Sequence, residues 1–76
     1  MHILNEEYNG IRIVSNPEKV IDHQWSTGNF FIEVPISNGL KAIQLIHTEN
    51  YGCNLTLDQA HALNIGSAKR YIDEKL

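Results

Sequence analysis

The stretch from Phe30 to His47 constrains the fold most. Two apolar runs, Phe30-Phe31-Ile32-Glu33-Val34-Pro35-Ile36 and Lys41-Ala42-Ile43-Gln44-Leu45-Ile46-His47, flank Ser37-Asn38-Gly39-Leu40. An Asn-Gly step between such runs is the strongest short-range signature of a β-hairpin. Folding at Asn38-Gly39 sets Ile36 opposite Lys41, Val34 opposite Ile43, Ile32 opposite Leu45 and Phe30 opposite His47. Side chains alternate across a strand, so these pairs share one almost wholly apolar face. The other face then carries Glu33 opposite Gln44, Pro35 opposite Ala42 and Phe31 opposite Ile46. A slip by one residue would mix the two faces.

Pro35 refines the turn. A two-residue turn at Asn38-Gly39 would make Pro35 and Ala42 a hydrogen-bonded pair, and proline has no N–H to give. A four-residue loop over Ser37 to Leu40 keeps the same facing pairs and turns the missing N–H outward. It also predicts that strand 30–36 is an edge, or lacks a partner, near residue 35.

The remaining elements follow in order. Residues 2–5 and Ile11-Arg12-Ile13-Val14 read as strands of a first hairpin turning near Asn9-Gly10, with Glu7 opposite Arg12 and Glu6 beside Ile13. Ser15-Asn16-Pro17-Glu18 carries helix-start residues, so one turn of helix or a loop is expected there. A strand over 20–25 is the alternative, and Ser26-Thr27-Gly28-Asn29 reads as a turn in either case. Residues 48–52 form a loop and Cys53-Asn54-Leu55 a short strand. Thr56-Leu57-Asp58-Gln59 spells a capping box. From there Leu57, His61, Ile65, Ala68, Ile72 and Leu76 recur at helical spacing, with Ala60, Asn64 and Tyr71 alongside. Gly66 either sits inside one helix, at a cost of about 1 kcal/mol relative to alanine, or marks a turn with Ser67 capping a second helix.

The expected fold is therefore α+β. It has a small antiparallel sheet of three or four strands built on the hairpin at about 30–47. One C-terminal amphipathic helix, at about 57–75, packs on one face. The whole chain, 1–76, reads as a single domain.

Composition narrows the function classes. The formal net charge of −3 and pI near 5.7 argue against a general affinity for nucleic acid. The lone Cys53 excludes an internal disulfide and fits a reducing compartment. No apolar run is long enough to span a bilayer. The opening residues lack the basic and apolar regions of a signal peptide, so a cytoplasmic protein without membrane contact is expected.

Chemistry-bearing residues are scattered. His2, His23, His47 and His61 show no metal-ligand spacing, and Cys53 has no partner cysteine. A site assembled from His47, Cys53 and His61 competes with ordinary boundary histidines. Cys53 with a histidine offers a nucleophile and base, set against its reading as a small filler beside the helix start. Glu6-Glu7 and Asp73-Glu74 lie in stretches that should be solvated, and no phosphate-binding glycine loop is present. The expectation is a protein that is not an enzyme and holds no cofactor or metal.

Lys69, Arg70 and Lys75 form the one basic cluster. With Leu55-Thr56-Leu57-Asp58-Gln59-Ala60 and the break at Gly66, the segment at 57–75 resembles the opening of excisionase-type DNA-binding segments. That resemblance implies a helix-turn-helix with Ala62, Ile65, Gly66 and Ile72 packing two helices. Ser67 and Lys75 fall where apolar residues would be wanted, and the competing reading is one amphipathic helix with a solvated basic patch.

The preferred reading rests on the outer sheet face. One helix covers one side of a sheet, which leaves Phe31 and Ile46 exposed on the other unless residues 1–25, including Trp25, fold over them. The expected function is a small non-catalytic module that binds another protein, or itself as a homodimer. It would be of the inhibitor or regulator type found in phages and mobile elements, blocking a nucleic-acid-handling protein. The candidate binding residues are Phe31, Glu33, Gln44, Ile46, Glu6, Glu7 and Glu49, the carboxylates standing where phosphates would lie. The alternative is a DNA-binding transcriptional regulator using Lys69, Arg70 and Lys75.

Overall fold

The computed structural model of the protein describes residues 2–76. Four strands, β1 (Leu4–Tyr8), β2 (Ile11–Ile21), β3 (Gln24–Ile36) and β4 (Gly39–Leu45), are followed by one helix, α1 (Leu57–Lys75). The strands form one antiparallel sheet in the order β1-β2-β3-β4, so each pairs with its sequence neighbour. This is the expected α+β arrangement of a small sheet and a single C-terminal helix.

The first hairpin turns at Asn9-Gly10, with φ of 52° and 77°. Two positive φ values in a two-residue loop match the right-handed twist of the flanking strands. The register sets Glu7 opposite Arg12 and Glu6 opposite Ile13, as expected. The first strand runs over 4–8 and not 2–5, because the ladder reaches right up to the turn. Glu6 on the helix-facing side is resolved by Lys69 of α1, whose Nζ lies 2.7 Å from the carboxylate.

The expected helix start at 15–18 is instead the middle of β2. Its capping residues have no apolar stripe of helical period behind them, and pairing with β3 satisfies the backbone. Pro17 has no N–H for the ladder, and the register with β3 shifts between Asn16 and Glu18. The bulge is opposite Pro17, at Gly28 with φ of 60°. A Cβ at Gly28 would lie 2.4 Å from the Asn16 carbonyl oxygen. Residues 26–29 therefore form a bulged segment of β3 and not a turn; the chain reverses at Asp22-His23.

The central hairpin is displaced by two residues from the expected register. Ile36 pairs with Gly39, Val34 with Lys41, Ile32 with Ile43 and Phe30 with Leu45. The turn is the two-residue Ser37-Asn38, not a four-residue loop. A two-residue loop makes Ile36 and Gly39 the closing hydrogen-bonded pair, so Pro35 and Leu40 form a non-hydrogen-bonded pair. The absent N–H of Pro35 again points away from β4. It costs nothing there, since the pairing with β2 ends at Arg12–Glu33. β3 is thus central over Phe30–Glu33: its last residues lack a partner on the β2 side, and its first residues lack one on the β4 side apart from the Trp25–Leu55 bridge.

The helix starts on its capping box. The Thr56 hydroxyl accepts from the Gln59 N–H at 3.1 Å, and the Gln59 side chain accepts from the Thr56 N–H at 2.9 Å. α1 runs unbroken through Gly66. Ile65, Ala68 and Ile72 pack on Ile11, Ile13, Phe30, Ile32 and Leu45, with Tyr8, Val34, Ile43 and Tyr71 around them. Fully burying such side chains contributes about 1.5–3 kcal/mol each before chain entropy is set against it. α1 lies over β3 and β2, touches β1 and hardly reaches β4. Of the expected strand at 53–55, only Leu55 pairs, bonding the Trp25 backbone in both directions.

Candidate binding surface

The sheet face away from α1 follows from the register. One cross-strand row is Glu7, Arg12, Glu33 and Ala42; the next is Asn5, Val14, Phe31 and Gln44; Asn16 and Asn29 continue it on β2 and β3. Every element that packs across the sheet does so on the opposite face, and residues 4–21 lie within the sheet as β1 and β2. They do not fold over the outer face as the alternative had it. Trp25 is buried elsewhere, with its backbone against Leu55 and its ring edge-on to His2 at 4.8 Å.

At the centre of this face Phe31 is half-buried and pairs with Val14, which is nearly fully buried although no second layer covers it. The surroundings are polar. Arg12 reaches Glu33 at 3.4 Å, and Gln44 donates its amide to the Phe30 carbonyl at 3.0 Å. An aromatic residue centred in a polar rim is the usual anatomy of a protein-binding patch.

The expected site residues divide between three surfaces. Phe31, Glu33, Gln44 and Glu7 share the outer face. Ile46 does not oppose Phe31: the displaced register puts Gln44 there, and β4 ends at Leu45. Ile46 stands instead at the rim of a cleft of about 170 Å³ on the helix side, together with Glu49, Arg70 and Lys75. Glu6 is on the helix-facing side, bound to Lys69. The carboxylates therefore do not assemble into one acidic surface, and Arg12 partly neutralises the pair that does share a face.

The basic cluster is divided as well. The hydrogen bond to Glu6 pushes the Lys69 ammonium above its ordinary value, and Lys69 also lies 5.4 Å over the Tyr8 ring. Tyr8 in turn donates to Asp73 at 2.9 Å, which raises its phenol. With α1 continuous, the turn that a helix-turn-helix requires is absent.

A polar network that no sequence pattern marks lies under the helix. The Asn64 amide donates to Ser15 Oγ at 3.0 Å and to the Thr27 carbonyl at 2.8 Å. His61 Nδ1 meets Ser15 Oγ at 2.8 Å, and His47 Nδ1 meets Ser67 Oγ at 3.0 Å. His47 stacks on Phe30 at 4.5 Å and receives Tyr51 edge-on at 5.2 Å. The Ser67–His47 pair has a hydroxyl and a base, but Ser67 is in mid-helix, where the backbone N–H groups are already used. The network instead ties the 46–56 loop and α1 to β2 and β3. No group of three or more metal-binding side chains occurs among the described residues, and Cys53 is exposed. No helix among the described residues is long and apolar enough to cross a membrane.

No family model, curated protein or solved structure matches this chain.

Proposed function

We propose that the protein is a non-catalytic module that binds another protein through its outer sheet face, in the manner of an inhibitor or regulator. The supporting observation is the Phe31–Val14 pair, an apolar centre with a polar rim on a face that no other element covers. The dispersal of Glu6, Glu7, Glu33 and Glu49 favours shape and apolar contact over phosphate mimicry as the means of blocking a target.

Capture from the source cell tests this reading. Wild-type bait should retain a partner that Phe31→Asp bait loses, with far-UV circular dichroism showing both folded. A Lys69→Ala/Arg70→Ala bait should retain it. A partner indifferent to Phe31→Asp would overturn the outer-face reading. A salt-sensitive shift of duplex DNA, lost in Lys69→Ala/Arg70→Ala, would favour DNA binding instead.

A further inference from the structure

The two edges of the sheet are built differently. β1 exposes the backbone of Asn5 and Glu7, because Tyr8–Ile11 closes its hairpin and alternate residues bond inward. Any self-pairing centred within this five-residue strand either sets glutamates against each other or shortens the ladder. That is how natural edges are protected against their own kind. β4 is less protected. It is seven residues long, its one charge is Lys41, and it is almost uncovered by α1.

The pairing pattern shows which β4 groups are free. Pro35 and Leu40 form a non-hydrogen-bonded pair, so the N–H and C=O of Leu40, Ala42 and Gln44 point away from β3. None of these groups bonds a turn, loop or cap backbone among the described residues. A two-fold axis through Ala42, perpendicular to the sheet, sets Ala42 against its own copy and Leu40 against Gln44 of the other copy. All the outward groups are then paired in hydrogen-bonded positions. On the helix side Lys41 falls opposite Ile43 of the other copy, apolar stem against apolar side chain.

Three exposed apolar residues lie near the two ends of β4. Leu40 is 57% exposed and Ile36 50% at the hairpin tip, while Ile46, just past the other end of β4, is 84% exposed. The two-fold brings the tip of one copy beside the Ile46 end of the other.

We infer that β4 is a symmetric dimer seam: a second copy of this chain adds its β4 antiparallel across Ala42, doubling the four-stranded sheet into one continuous layer. Both helices lie on one side and both outer faces on the other. This goes beyond the outer-face reading, and the two fail separately.

The test is the solution mass of the full chain by sedimentation or light scattering. The expected result is twice the 8.6 kDa chain mass, with the Leu40, Ala42 and Gln44 amides protected from hydrogen exchange and those of Asn5 and Glu7 not. Ala42→Lys should give a folded monomer. Its new cation faces Glu33 within the chain but its own copy across the seam. Should that variant not fold, Ala42→Cys in a Cys53→Ser background should oxidise to a covalent dimer without change of mass. The paired Cα atoms would be about 5.5 Å apart, within disulfide range. Phe31→Asp should stay dimeric even where it loses a captured partner. A monomer at every concentration overturns the seam. So does a dimer that survives Ala42→Lys, or protection at β4 that appears only when a different protein is added.

Discussion

His47 Nε2 lies 2.7 Å from Asn64 Oδ1, and the rest of the network decides which atom donates. Both hydrogens of the Asn64 amide are committed, to Ser15 and to Thr27, so Oδ1 accepts and Nε2 carries the proton. Nδ1 is then the free lone pair, and the Ser67 hydroxyl donates to it. One asparagine on the helix thus sets the tautomer of the histidine that anchors the loop.

Asn64 is fully buried and serves several partners at once. Asn64→Ala should therefore cost about 2 kcal/mol, because the part-buried Thr27 carbonyl and His47 N–H both lose their partner. Urea unfolding should show a lower midpoint with the slope unchanged. A loss within a few tenths of a kcal/mol would mean that the loop repacks freely.

Two glycines should respond in opposite directions to alanine. Gly28 has φ of 60°, and a Cβ there would meet the Asn16 carbonyl, so Gly28→Ala should destabilise by about 2 kcal/mol or more. Gly66 is exposed inside α1 with open space around it, and Gly66→Ala should stabilise by about 0.5–1 kcal/mol. Thermal melts of the pair check both signs. Destabilisation by Gly66→Ala would indicate a turn at that position.

His61 gives the fold a defined acid response. Burial holds its imidazole below the ordinary 6.5, against weaker raising effects from a hydrogen bond to the His2 backbone and from Asp58. The folded chain then binds a proton less readily than the unfolded chain. The associated stability is complete above pH 6.5 and is lost as pH falls through the lowered folded value. His61→Gln should flatten that part of the pH dependence in urea midpoints taken on the two sides of 6.5. An NMR titration of His61 at or above 6.5 would contradict the assignment.

What could be read from the sequence was what a few neighbouring residues settle between themselves. Asn9-Gly10 supplies both positive φ values of its turn, and Thr56 with Gln59 completes its capping box within four residues. The alternation of Phe30, Ile32 and Val34 with Ile43 and Leu45 marks the face that meets the helix. Only the tertiary structure decided the register of that hairpin. Displacing a strand by two residues leaves every side chain on its original face, so alternation cannot separate the two pairings. That displacement put Gln44 and not Ile46 beside Phe31, and it moved Ile46 to the cleft. Likewise, the cap-like Asn16-Pro17 segment became strand and Gly28 a bulge because β2 and β3 pair over a length that no local signal announces. Asn64, His47 and Ser15 are polar residues on three separate segments, and only packing shows that they satisfy one another.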